Sequence, residues 1–208
     1  MSAEGARGLE AVVLRSGNET WREPCDYLAC GFGLVPNLEL ALLMGCDVRD
    51  GFVAVDQFQQ TSVAGVYCAG EPTGIGGVDA ALVEGQIAGC AAAGEIHRAR
   101  ALFTARRRAV RFRTALDRAF APRDELKTLP TPETVVCRCE DVPLGLVRTE
   151  SSWRSAKLHT RCGMGPCQGR VCGPALEFLL GWRPDSVRPP IFPARLDHLA
   201  ESDAVDVS

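Results

Sequence analysis

The sequence predicts an α/β chain that ends in a small, mainly helical cysteine domain. Three observations carry this. An apolar segment, Val66–Gly70, runs through the glycine-rich EPTGIGG into a helix of small residues. A stretch rich in proline and charge, 121–134, then interrupts the pattern. Beyond it, five of the ten cysteines fall between Cys137 and Cys172. A length of 208 residues has room for one ordinary domain and a small second one, and 46% hydrophobic residues suffice for a core.

Taken in order, residues 9–15 (LEAVVLR) and 26–30 (DYLAC) read as strands, with a turn at GFGLVPN and a helix over 37–44 (NLELALLM). Arg49–Gly51 turns the chain into a strand at 52–56. Strand 66–70, the glycine loop and a helix over 78–93 follow, the order that sets helix N-terminal amides against a ligand. From His97 to Arg123 there are nine arginines opposed only by Asp117, and Phe103, Val110, Leu116 and Phe120 recur at helical spacing. This predicts an amphipathic helix or helical pair. Its arginines suit a solvated face, linking two domains or meeting an acidic partner, better than a nucleic acid, because the net charge is −3. The expected divisions are 1–96, a basic helical linker at 97–134, the cysteine domain at 135–182 and an extended, proline-rich tail at 183–208.

No run of 18 uncharged apolar residues predicts a transmembrane segment, and the first fifteen residues lack a signal-peptide core. A cytoplasmic protein is expected, and in a reducing compartment clustered thiols point to metal more than to disulfides. Cys25, Cys30, Cys46, Cys68 and Cys90 read as buried, inert thiols, and PCDYLAC as a buried strand rather than a redox pair. His97, His159 and His198 lie in polar or basic surroundings and read as surface residues, so no general base is evident.

VVCRCEDVPLGLVRTE and HTRCGMGPCQGRVCG supply Cys137 and Cys139 as C-x-C, then Cys162, Cys167 and Cys172 at intervals of five. Four thiolates complete the tetrahedra of a 2Fe-2S centre. They suit structural zinc as well, although zinc sites favour C-x2-C spacing. A disulfide set and chance clustering remain open on spacing alone. Gly163, Gly165 and Gly169 let the chain curl around a metal, and Arg138, Arg161 and Arg170 offer positive charge.

CRCEDV followed by TRCGMGPCQGRVC resembles the bacterioferritin-associated-ferredoxin-like (BFD-like) 2Fe-2S domain of FAD-dependent opine, hydroxyproline and amine dehydrogenase subunits and of the hydrogen cyanide synthase family. The resemblance places the cluster ligands at Cys137, Cys139, Cys167 and Cys172 and leaves Cys162 as a neighbouring thiol. Only 22 residues separate Cys139 from Cys162, so the two helices of that family should be trimmed here.

TSVAGVYCAGEPTGIGGVDAALVEGQIAG resembles the C-terminal FAD-contacting segment of two-dinucleotide-binding-domain flavoproteins, and with CDYLACGFGLVPNLELA upstream the likeness covers about 9–95. It implies a partial flavoprotein fold of that kind. Cofactor-contacting roles fall on Gly70, Glu71, Gly74, Gly76, Gly77 and Val78. The G-x-G-x-x-G pyrophosphate loop of such proteins has no match in this sequence, so FAD should need a further domain or partner. The implied function is a 2Fe-2S-carrying component of an amine, opine or hydroxyproline dehydrogenase. It would work with other dehydrogenase subunits, one of them a substrate-oxidising flavoprotein. The alternatives are an electron-transfer or scaffold protein without catalysis, and a zinc-stabilised binding module.

Overall fold

In a computed structural model, the described residues are 2–31, 33–183, 187, 189–191 and 194–197. They divide into two compact units, residues 1–33 and 34–208.

The first unit is an antiparallel ribbon of β1 (Ser2–Glu4), β2 (Ala11–Ser16) and β3 (Glu19–Pro24) in the order β1-β2-β3. Ser16 pairs with Glu19 across a two-residue turn, and Gly17 takes the positive φ that such a hairpin requires. Ala11 and Val12 are buried, whereas β3 is exposed throughout. The strand expected at 26–30 is irregular chain, with Tyr27 and Cys30 exposed. Its apolar residues have no neighbouring strand to pair with, so the periodicity finds no ladder.

The second unit opens with α1 (Glu39–Leu43), shorter than expected, and the small pair β4 (Val48–Arg49) and β5 (Phe52–Val53). The strand expected at 66–70 is reduced to a single bridge between Gln60 and Tyr67. All strand pairs among the described residues are antiparallel. A 3-10 turn at Glu71–Thr73 leads into α2 (Gly77–Ala92), within a residue of its expected bounds. The basic stretch forms a helical pair, α3 (Ile96–Ala101) and α4 (Phe103–Ala119). Phe103 stacks obliquely on Phe58 at 5.3 Å between ring centroids, while Phe120 is exposed.

Past a 3-10 turn at Asp124–Lys127 comes the cysteine domain: β6 (Val135–Cys137), β7 (Val142–Pro143), α5 (Leu144–Arg148), α6 (Trp153–Thr160) and α7 (Cys172–Leu180). Both helices between the cysteine pairs are present and short. Ser152 caps α6 by accepting the Ser155 N–H, and Arg161 ends it in the left-handed conformation. The domain has its own core, in which Val136, Val142, Leu144, Val147, Trp153 and Leu176 surround three cysteines. Lys127 lies over the Phe178 ring at 5.2 Å and ties the linker to α7. Most of the tail, including His198, lies outside the described residues. No helix among the described residues is long and apolar enough to cross a membrane.

Candidate metal centre and glycine loop

Two loops carry the five C-terminal thiols and bring three of them, Cys137, Cys162 and Cys172, into one group; the expected ligands Cys139 and Cys167 lie outside that group. β6 carries Cys137 to the first, where Cys137 pairs with Val142 and Asp141 turns the chain at φ 49°. The second loop leaves α6 at Arg161, holds Cys162 and Cys167, and delivers Cys172 as the first residue of α7. The Sγ atoms of Cys137, Cys162 and Cys172 all lie within 4.8 Å of one another, and all three residues are buried. Cys139 is exposed, Cys167 is half-buried, and each thiol perturbs the ionisation of the other. No disulfide joins any of the ten cysteines.

Close packing fixes this arrangement. A Cβ on Gly165 would stand 2.2 Å from the Cys139 Cβ, so the second loop presses onto the first with no room for a side chain. Trp153 underlies the second loop, its ring 2.8 Å from where a Cβ on Gly163 would lie. Arg161 Nε donates to Glu140 Oε2 at 2.7 Å, pinning the loops beside Cys139 and Cys162. Arg170 donates to Glu39 Oε2 at 3.1 Å, to the Ile191 carbonyl at 2.6 Å and to the Cys167 carbonyl at 3.3 Å. It thereby ties the cysteine loop to α1. Of the three arginines expected to supply positive charge, two are thus paired with carboxylates and Arg138 is exposed.

The electrostatics favour thiolate at one edge and oppose it in the interior. Burial pushes the Cys167 thiol up, but the backbone amides of Val171, Gly169 and Arg170 and the Cys139 thiol outweigh it. The net value is below the ordinary thiol range. A hydrogen bond with Cys162, followed by burial and the nearby Cys162 charge, drives Cys172 far above that range. Buried thiols this close cannot all ionise without a cation, and a thiophilic metal supplies one by displacing their protons. The donor set therefore fits a thiolate-bound metal.

The glycine loop is held from beneath by Glu84, a buried carboxylate on α2. Glu84 accepts the Gly70 N–H at 3.0 Å and the Thr73 hydroxyl at 3.1 Å. Arg106 and Arg113, seven residues apart on one face of α4, approach it to 3.7 and 4.0 Å. Arg113 also donates to the Thr73 carbonyl, and its guanidinium occupies the space where a Gly74 side chain would stand. Arg106 reaches further: with the Gln59 amide oriented as its neighbours require, the amide accepts from Arg106 Nε at 2.9 Å and donates to the Cys68 carbonyl at 2.9 Å. The arginine stretch is therefore partly an internal counter-ion, which the periodicity alone did not disclose. Removing the carboxylate would leave two arginines without their counter-ion and the buried Gly70 N–H without its acceptor. Glu84→Ala should destabilise the chain by about 3 kcal/mol, the low end for breaking a buried pair because the arginines keep some water contact. Chemical denaturation would show it as a lower midpoint.

The six glycine-loop residues expected to contact a cofactor divide in two. Gly70, Gly74 and Gly76 are enclosed, whereas Glu71, Gly77 and Val78 face outward. Beside the outward group, Gly76, Gly77, Val78, Asp79, Arg108 and Phe112 line an open groove of about 540 Å³ between the start of α2 and α4. Elsewhere, of the five cysteines expected to be buried only Cys46 is; Cys30 is exposed and Cys25, Cys68 and Cys90 are half-buried. His97 is exposed, as is His159, which pairs with Glu150 at 2.9 Å.

Comparison with known proteins bears on both regions. Residues 2–95 match the pyridine nucleotide-disulphide oxidoreductase family model. The chain is similar to an opine oxidase subunit of Rhizobium meliloti, at 34% identity over 95% of this chain and 43% of that protein. It is similar to the corresponding opine oxidase subunit of Agrobacterium tumefaciens, at 29% identity over 94% of this chain and 45% of the relative. It is also similar to the HcnB subunit of hydrogen cyanide synthase from Pseudomonas aeruginosa, at 30% identity over 83% of this chain and 43% of the relative. The chain thus spans less than half the length of these curated relatives, and no solved structure matches it significantly.

Proposed function

We propose that this chain is the electron-transferring, C-terminal part of one subunit of an FAD-dependent dehydrogenase whose substrate is an amine, opine or hydroxyproline. It would carry a 2Fe-2S cluster on Cys137, Cys139, Cys167 and Cys172. The observation that carries the reading is the meeting of three buried thiols, with Cys139 and Cys167 on the same two loops, in a chain whose residues 2–95 match a pyridine nucleotide-disulphide oxidoreductase family. When bound, the cluster supplies one-electron chemistry between a flavin and an acceptor.

The residues have distinct tasks in this reading. The amides of Gly169, Arg170 and Val171 point at the Cys167 sulfur and would hold its negative charge, which tunes potential. Trp153 and Leu176 keep water from the inner sulfurs. Arg170, bonded to Glu39, fixes the cysteine loop against the α1 segment. At the glycine loop, Glu71 would contact the ribityl or pyrophosphate part of FAD, and the α2 amides from Gly77 and Val78 would favour negative charge on the reduced ring. The other wall would come from a partner or further domain. In support, Leu34, Val35, Leu40, Leu42, Leu43 and Met44 are all exposed along one short segment, an apolar surface that a free monomer rarely shows.

Gly165→Ala offers a test without touching a ligand. Its methyl group cannot coexist with Cys139 in the present geometry, so the loops must part. We expect most of the bound iron to be lost while the helical circular dichroism signal is kept; full iron retention would count against Cys139 as a ligand. For electron transfer itself, the assembled protein should show a reduced-cluster electron paramagnetic resonance signal when an opine, hydroxyproline or simple amine is added. Flavin bleaching without that signal would refute the electron-transfer role.

A further inference from the structure

The ligand set proposed above leaves Cys162 without a task, yet the structure groups it with Cys137 and Cys172. Cys137 from β6, Cys162 from the loop after α6 and Cys172 at the start of α7 form a compact triangle of sulfurs, each within 4.8 Å of the others. The three residues are only 2%, 1% and 1% exposed. A tetrahedral thiolate site with metal–sulfur bonds of about 2.3 Å sets sulfur–sulfur distances of about 3.8 Å. The triangle therefore needs to contract by no more than about 1 Å to close on a single ion. A binuclear cluster instead takes its four thiolates as two pairs, one on each iron. The geometry points to a second metal state: Cys137, Cys162 and Cys172 bind one thiophilic divalent cation such as Zn2+, in competition with the cluster for Cys137 and Cys172.

This rests on the reading of 135–182 as a metal-binding domain, but not on the identity of the cluster. Binding is acid–base balanced: the cation replaces the thiol protons, which leave to solvent, and no oxidation state changes. The triangle lies within the apolar core of the domain, among residues that include Trp153 and Leu176. Because the two states share two ligands, zinc bound first would block cluster assembly.

The test uses the full chain, freed of iron under anaerobic conditions and titrated with Co2+ and then Zn2+. We expect one Co2+ per chain, visible bands of tetrahedral cobalt, and a near-ultraviolet sulfur-to-cobalt band scaled to at least three thiolates. Zn2+ should bleach all of these. Cys162→Ser and Cys162→Ala should each remove one thiolate from that band and weaken Co2+ binding at least about 10-fold. Cys139→Ser should leave the three-thiolate face intact. Equal Co2+ spectra and affinity in wild type and both folded Cys162 variants would overturn the proposal, as would failure of the folded wild-type chain to bind Co2+. Iron and sulfide in Cys162→Ala, reconstituted separately, report on the cluster reading alone, because that reading expects them to be retained.

Discussion

Cys137→Ala and Cys172→Ala should each abolish cluster binding, leaving reconstituted protein with background iron and sulfide and no visible absorption. Both side chains are buried in the core of the cysteine domain and come from different elements, β6 and α7. Losing one of four anionic ligands also leaves an iron atom open to water, in a site whose second loop already leans on Cys139. The structural cost of removing one buried sulfur is about 1 kcal/mol, too little to unfold the domain by itself. Cys139→Ala and Cys167→Ala should lose the cluster too, whereas Cys162→Ala should keep it. Iron and acid-labile sulfide assays on variants that retain native circular dichroism distinguish ligand loss from unfolding. Retention of the cluster in Cys137→Ala or Cys172→Ala would remove the basis for the ligand set.

The second large effect concerns flavin. The 208-residue chain alone should purify with little FAD and should be inactive with opines, hydroxyproline and simple amines. Loop ordering is not the obstacle, since Glu84, Arg106 and Arg113 already hold residues 70–74 in place. That matters because fixing a flexible backbone costs about 1–2 kcal/mol per residue. The obstacle is chemical. Glu71 is an acceptor, the enclosed Gly74 lies under Arg113, and the outward amides near Gly77 answer only one edge of a large dianionic cofactor. The pyrophosphate would remain without its donors, and polar groups bound without partners cost more than partial contact returns. Adding a polypeptide that carries a strand and G-x-G-x-x-G loop should restore FAD binding, and Glu71→Ala should then weaken it about 10-fold. Submicromolar binding of FAD to the isolated chain by equilibrium titration would contradict this account.

Much of the helical framework was legible because its signals are local, whereas the grouping of Cys162 with Cys137 and Cys172 was not. The bounds of α2 and the helical course of the basic stretch follow from apolar spacing and from glycine placement. Strands were harder, because a strand exists only where a second one pairs with it. The apolar DYLAC and VYCAG segments find no ladder, whereas the polar ETWREP forms β3 because β2 lies alongside it. The Gly17–Asn18 pair between VVLRS and ETWRE was the available signal for that hairpin. Pairing between distant charges leaves no periodic trace, so neither Glu84 with Arg106 and Arg113 nor Arg170 with Glu39 could be read from spacing. An acid in the middle of a helix rich in Ala and Gly, followed by nine arginines, was the nearest hint.

The central claim is that the cysteine domain carries a 2Fe-2S cluster, and metal analysis of freshly expressed, anaerobically purified chain tests it most directly. Iron, zinc and acid-labile sulfide should be measured on one sample, together with its visible spectrum. The account predicts brown protein with about two irons and two sulfides per chain and little zinc. Stoichiometric zinc with no labile sulfide, from cells supplied with ample iron, would contradict it.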